Sequence, residues 1–317
     1  MAANPIFARE ILDGLNSSPK RLSSKWFYDE RGDKLFQQIM AMPEYYLTDC
    51  EREIFQTHAP DWSELLGEEP FDLIELGAGD GSKTQHLINH LWEANKDFVY
   101  RPIDISQHAI EVLGQLVATR WPLLPFEPVQ DEYLAALGRI ATSKSGRRQL
   151  VLFPGANVGN FTPEEAAVFL RHLGSHMNAG DLLLTGFDLK KDPAKVLAAY
   201  NDETGHTAAF NLNLLARINR ELGADFDLQN WQHWETYDPL SGAAKSFIVA
   251  QGGQTVRIAD LEATIEFAPF EAIAVEISQK YSRGEIAELA GAAGFEFVRN
   301  YEDSNGYFAD SLWRRNG

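Results

Sequence analysis

The chain has 317 residues, 44% hydrophobic and 23% charged, a globular composition with length for about two domains of ~150 residues. Its 46 acidic against 28 basic side chains leave a formal charge of -18, which argues against a surface built to neutralise nucleic-acid phosphates. A single cysteine, Cys50, excludes an internal disulfide, no apolar run approaches the ~20 residues that cross a bilayer, and residues 1–7 lack the features of a secretory signal, so the expected compartment is the cytoplasm.

In chain order, the first 60 residues are helix-prone and aromatic, and Thr48-Asp49-Cys50-Glu51 reads as a capping box that opens a helix. From about residue 71 to 187 short apolar runs alternate with helical patterns, predicting βαβ units that feed one parallel sheet. The strands are expected at Phe71–Leu76, Phe98–Ile105, Phe126–Val129, Gln149–Phe153 and Asp181–Asp188. The helix after the fourth strand has a clear start, with Thr162 as cap, Pro163 at the first helical position and Glu165 three residues after the cap.

The character changes between about 199 and 281. A helical pattern through Ala208–Leu222 is followed by two β-rich stretches, Lys245–Ile258 with a Gly252-Gly253 turn, and Ala263–Lys280. The alternation then returns: Ser282 and Glu285 form a capping box, Gly294 stops an alanine-rich helix, and two strands are expected near Phe295–Tyr301 and Tyr307–Trp313. The fold class is therefore α/β, with a doubly wound Rossmann-like core over 61–198 and 282–317. A second, α+β domain is assembled from 1–60 and from the insertion after the fifth strand, 199–281.

The chemistry concentrates where the first strand ends. Glu75 is followed by Gly77, Gly79 and Gly81 and then by Lys83 near a helix start. Glycines let the backbone pass close to a ligand, and a helix N-terminus offers free N–H groups to an anionic one. The spacing lacks the four-residue gap of a Walker A loop and differs from the nicotinamide fingerprint. It resembles motif I of S-adenosylmethionine (SAM) methyltransferases. That resemblance implies a class I methyltransferase core, with Asp104 at the end of the second strand on the ribose hydroxyls, Asp131 after the third near the adenine, and Lys83 as partner for the methionine carboxylate.

Two histidine pairs at helical spacing, His86/His90 and His172/His176, have neither an internal Glu nor a third ligand, so they read as solvated faces and no metal is expected. After the fourth strand, Gly159-Asn160 either presents an amide to a small polar substrate or caps the following helix. Along Glu271–Lys280, Ala274, Glu276 and Ser278 alternate with Ile273, Val275 and Ile277, so Glu276 and Ser278 share one strand face. A carboxylate and a hydroxyl placed together suit the two nitrogens of an imidazole.

Separated segments spanning nearly the whole chain resemble the histidine-specific methyltransferases that make Nα-trimethylhistidine (hercynine) in ergothioneine biosynthesis. They are Lys25-Trp26-Phe27-Tyr28-Asp29 with Pro43-Glu44-Tyr45-Tyr46, the glycine turn, Gly159-Asn160, and Tyr200-Asn201-Asp202 with Thr207–Asn211 and Glu276-Ile277-Ser278. The resemblance implies an enzyme that uses SAM as methyl donor and a small amino acid as acceptor. It implies that Asn160 and Tyr200 hold the carboxylate and amine end, that Tyr45, Glu276 and Ser278 surround the imidazole, and that Tyr28 lies near the amine. Tyr28, Asn160 and Tyr200 are then the residues closest to the chemistry. One departure is visible: Ser246 stands where some members of the family carry a methionine against the imidazole. Another amino acid, an imidazole nitrogen as acceptor, or a non-catalytic SAM-binding module are the alternatives. No nucleic-acid or membrane partner is expected, and the oligomeric state stays open, a monomer being plausible.

Overall fold

Short polar side chains start the first two helices. In the computed structural model, which describes residues 4–142 and 146–317, Asn4 accepts from the Ile6 and Phe7 N–H groups to cap α1 (Pro5–Leu15). Asp29 accepts from Gly32 to cap α2 (Glu30–Met40). Such caps satisfy donors that the first helical turn leaves orphaned, at about 1 kcal/mol each. The buried residues of α1 are Phe7, Ile11 and Leu15, one stripe at four-residue spacing.

The chain divides into two units, one of residues up to Tyr46 with Lys191–Ser278 and another of Leu47–Lys190 with Gln279–Gly317. The second opens on α3 (Leu47–Leu66). It continues through β1 (Phe71–Leu76), α4 (Gln85–Glu93), β2 (Phe98–Asp104), α5 (Gln107–Arg120), β3 (Val129–Gln130), α6 (Tyr133–Thr142), β4 (Arg148–Phe153), α7 (Pro163–Gly174) and β5 (Leu182–Asp188). All six residues of β1 are buried, as a strand covered by helices on both faces requires.

Next come the elements of the first unit: α8 (Pro193–Tyr200), α9 (His206–Leu222), β6 (Trp231–Asp238), β7 (Ala243–Ala250), β8 (Gln254–Ile258), β9 (Ala263–Phe267) and β10 (Ala272–Gln279). β10, β7 and β6 form one sheet in that order, and β8 pairs with β9. Their inward side chains and the helices share a core that includes Phe7, Ile11, Phe27, Phe210, Leu214, Trp231, Ile248 and Ile273. The chain then returns to the second unit through α10 (Arg283–Ala292), β11 (Phe295–Glu302) and β12 (Phe308–Arg315).

The sheet of the second unit runs β11-β12-β5-β4-β1-β2-β3 among the described residues. β1 is parallel to both β2 and β4, β4 to β5, and β12 is antiparallel to β5. The order reverses at β1 and β4. Ligands of such sheets bind outside the carboxyl ends of the strands at this reversal, and the glycine turn lies there.

Several expectations need correction. The third strand is Val129–Gln130, with Phe126 joined to Tyr100 only by an isolated bridge, because Pro128 lacks the N–H that a continuing ladder needs. Thr48 lies inside α3 rather than at its start, and Glu51 is buried instead of capping. α3 belongs with the α/β unit and not with the N-terminal segment, since Phe55 and Trp62 pack edge to face and Trp62 meets Tyr301 of β11. α8 falls on the other side of the division, which moves the start of the insertion from 199 to 191. β6 was not anticipated, although its burial alternates in and out from Trp231 to Thr236.

Candidate active site

At the end of β1 the backbone turns through three left-handed residues, Gly77 (φ 72°), Gly79 (φ 54°) and Gly81 (φ 68°). A Cβ on Gly77 would fall 2.7 Å from the Tyr133 hydroxyl, and one on Gly81 2.6 Å from Leu113, whereas one on Gly79 would point into open space. The turn is therefore closed from below and open on one side. Glu75 builds it from within: Thr84 and Tyr100 each donate a hydroxyl hydrogen bond to one of its carboxylate oxygens, and it is 1% exposed. Burial pushes its pKa up to about 7, against the pull of those two hydroxyls and Lys83. With each oxygen accepting from a hydroxyl of the protein, Glu75 holds the turn from within.

Asp104, the last residue of β2, accepts from the Gly79 N–H at 3.0 Å and from the Ser106 N–H at 2.9 Å. Burial raises its pKa, and these backbone donors pull the other way. Lys83 is ion-paired with Glu51. Burial alone would lower its pKa, yet Glu51 more than offsets that and the net shift is upward. Asp131 is ion-paired with Arg139, whose hydrogen bond holds its carboxyl below the usual range.

Past β4, a short 3₁₀ turn over Asn157–Asn160 leads to α7. Asn160 is exposed, and Thr162 and Glu165 form the reciprocal capping box anticipated for α7. Asn160 is thus free of the capping role. A Cβ on Gly159 would sit 2.9 Å from the Gln279 carbonyl oxygen, so this position needs glycine to let the backbone of β10 approach.

In the first unit, the Tyr200 hydroxyl and Ser278 Oγ form a buried hydrogen bond of 2.8 Å. The Tyr45 ring lies 6.3 Å from that of Tyr200, and Tyr28 and Tyr45 both pack edge to face on Phe36. Ile273 and Val275 are buried in the core while Glu276 is half-buried, in keeping with the alternation read along β10. The structure thus brings Tyr28, Tyr45, Tyr200 and Ser278 into one aromatic and polar cluster, with Glu276 two residues from Ser278 along the strand.

A model of the histidine-specific, SAM-dependent methyltransferases matches residues 7–315. The chain belongs to this family. It is 36% identical over 305 residues to the histidine N-alpha-methyltransferase of Mycolicibacterium smegmatis, covering 96% of this chain and 93% of that protein. The Mycobacterium tuberculosis protein of the same name is 34% identical over 304 residues, with the same coverage. Ergothioneine biosynthesis protein 1 of Schizosaccharomyces pombe is 30% identical over 314 residues, 94% of this chain and 40% of that longer protein.

A SAM-dependent histidine-specific methyltransferase needs a place for a nucleoside with an amino-acid tail. The residues fit such a ligand: a Cβ on Gly79 would meet open space, the Asp104 carboxylate lies beside it, and Lys83 is a cation near the turn. Sequence reasoning missed three buried groups, Glu51 in the second unit and His233 and Glu235 in the first. Glu51 partners Lys83. His233 on β6 donates through Nε2 to the Tyr200 carbonyl at 3.1 Å; that carbonyl can only accept, which settles the donor atom. Glu235, directly opposite Ser246 on β7, accepts its hydroxyl hydrogen bond at 2.6 Å. The in-and-out alternation of β6 was the signal that would have found the last two.

Among the described residues no cluster of potential ligands could hold a metal, and no helix is long and apolar enough to cross a membrane.

Proposed function

We propose that this protein methylates the α-amine of L-histidine, up to the trimethylated product hercynine, in ergothioneine biosynthesis, as a cytoplasmic enzyme acting on small molecules. The observation that carries the reading to particular residues is the buried Tyr200–Ser278 hydrogen bond, which joins a residue read as holding the amine end to one read as holding the ring. Bound SAM supplies an electrophilic methyl on a sulfonium. In this reading Asp104, Gly77 and Gly79 hold its nucleoside, Asp131 lies near the adenine, and Lys83 meets its carboxylate.

Asn160 and Tyr200 orient the amino-acid backbone so that the amine lone pair faces the methyl group. The amine must be neutral to attack, and tyrosine hydroxyls or a water beside it accept and pass on its proton. Alignment of two bound reactants supplies most of the acceleration, on the order of 7–11 kcal/mol in well-oriented systems. The faces of Tyr28 and Tyr45 stabilise the growing positive charge, at about 0.5–2 kcal/mol. Glu276 and Ser278 take the two imidazole nitrogens, and a side chain that leaves them unpaired costs ~1–3 kcal/mol per buried group.

The test is the ratio of kcat/KM for histidine over tryptophan in the parent and in Glu276→Ala. The ratio is expected to fall strongly in the variant, because the substitution enlarges the pocket and removes a carboxylate that an apolar ring cannot satisfy. An unchanged ratio would remove Glu276 from ring recognition.

A further inference from the structure

Lys83 is ion-paired with Glu51 of α3, and Asp310 of β12 and Glu75 of β1 also act on its charge. Glu75 is already engaged by Thr84 and Tyr100. Glu51 forms the ion pair with Lys83, and its side chain is 1% exposed. The same carboxylate accepts the Gly155 N–H through both oxygens, at 2.7 and 3.0 Å. A Cβ on Gly155 would lie 3.4 Å from Lys83 Nζ, and one on Gly186 of β5 would lie 2.5 Å from Glu51 Oε1. The second unit thus leaves a fitted space for one carboxylate, between the turn after β1 and the turn after β4.

We infer that Glu51 is a positioning residue for the methionine end of SAM, acting by holding the Lys83 ammonium in place. The inference rests on the assignment of Lys83 to the SAM carboxylate made above. Asp310 completes the arrangement. Burial, with Glu51 next in effect, pushes its pKa well above the usual range. Without Glu51, a buried lysine loses its proton more readily as pH rises, since burial disfavours the charged form.

The experiment compares the affinities of S-adenosylhomocysteine and 5′-methylthioadenosine, which lacks the amino-acid end, by calorimetry between pH 6.5 and 8.5. The proteins are the parent, Lys83→Met, Glu51→Gln and the double variant. Glu51→Gln is expected to weaken S-adenosylhomocysteine by about tenfold at the upper pH, and by less at the lower, as for a lost charge-assisted contact. Methylthioadenosine should stay within about twofold, and the double variant should be no weaker than Lys83→Met because Glu51 acts through that lysine. Equal weakening of both ligands, a loss that does not vary with pH, or no loss at all would overturn the inference. If Lys83→Met leaves S-adenosylhomocysteine binding intact, the Lys83 assignment fails first and the inference with it. Should Glu51→Gln not fold, the double variant, which buries no unpaired charge, decides: affinity equal to Lys83→Met supports the inference, and a weaker one overturns it.

Discussion

Individual carboxylates in the cofactor turn have separable jobs. Asp104 braces the turn through the Gly79 and Ser106 N–H groups and is read as the ribose acceptor. Asp104→Ala should weaken SAM by more than about tenfold in calorimetry, the loss of a charge-assisted hydrogen bond worth roughly 1.5–3 kcal/mol; equal affinity would contradict that role. Glu75 is different. With its pKa raised from 4.5 to about 7 in the folded state, the native protein keeps a proton that the unfolded chain releases between those values. Stability from this group is therefore greatest below pH 4.5 and declines as pH rises towards 7, by on the order of 3 kcal/mol in total. Measured against Glu75→Gln, which cannot titrate, the parent should gain in denaturant midpoint as pH falls from 7 to 5, and a difference that is flat with pH would refute the assignment. The glycine turn was legible from spacing, and Asp104 at the end of the second strand from the resemblance that the turn carries. That Glu75 and Glu51 turn inward was not, because a charged residue in a strand or helix gives no sign of which neighbours from distant segments will pair with it.

Elements with local start signals were the easiest to read. Thr162 with Glu165 and Ser282 with Glu285 form reciprocal capping boxes where expected, since the motif is complete within four residues. Thr48 with Glu51 has the same pattern but a different fate, because Glu51 meets Lys83 and Gly155, 32 and 104 residues away. Tertiary partners override local propensity in that case. The short 3₁₀ turn that presents Asn160 depends on a similarly remote contact, the approach of Gln279 to Gly159. Gly159→Ala should lower stability by about 1–3 kcal/mol, because the neighbour it strikes is backbone and cannot rotate away, and turnover should fall as Asn160 shifts. A thermal midpoint equal to the parent's would show that the strand end has room to give.

For the chain as a whole, the α/β core and the interruption after the fifth strand were visible in the change of hydrophobic period. Their limits were not: helix α3 joins the α/β unit because its buried residues include Phe55 and Trp62, and a helix's amphipathic pattern does not say which core it faces. Family membership over residues 7–315 is the ground for the proposed activity, transfer of methyl groups from SAM to the amine of histidine, and the cluster around Tyr200 and Ser278 is its proposed acceptor site. The direct measurement is mass spectrometry of the purified protein incubated with SAM and each of the twenty amino acids in turn. Histidine should gain one, two and three methyl groups on its α-nitrogen, far faster than any other amino acid is modified. A product methylated on the ring, a faster reaction with a different amino acid, or no methylated amino acid at all would contradict the account.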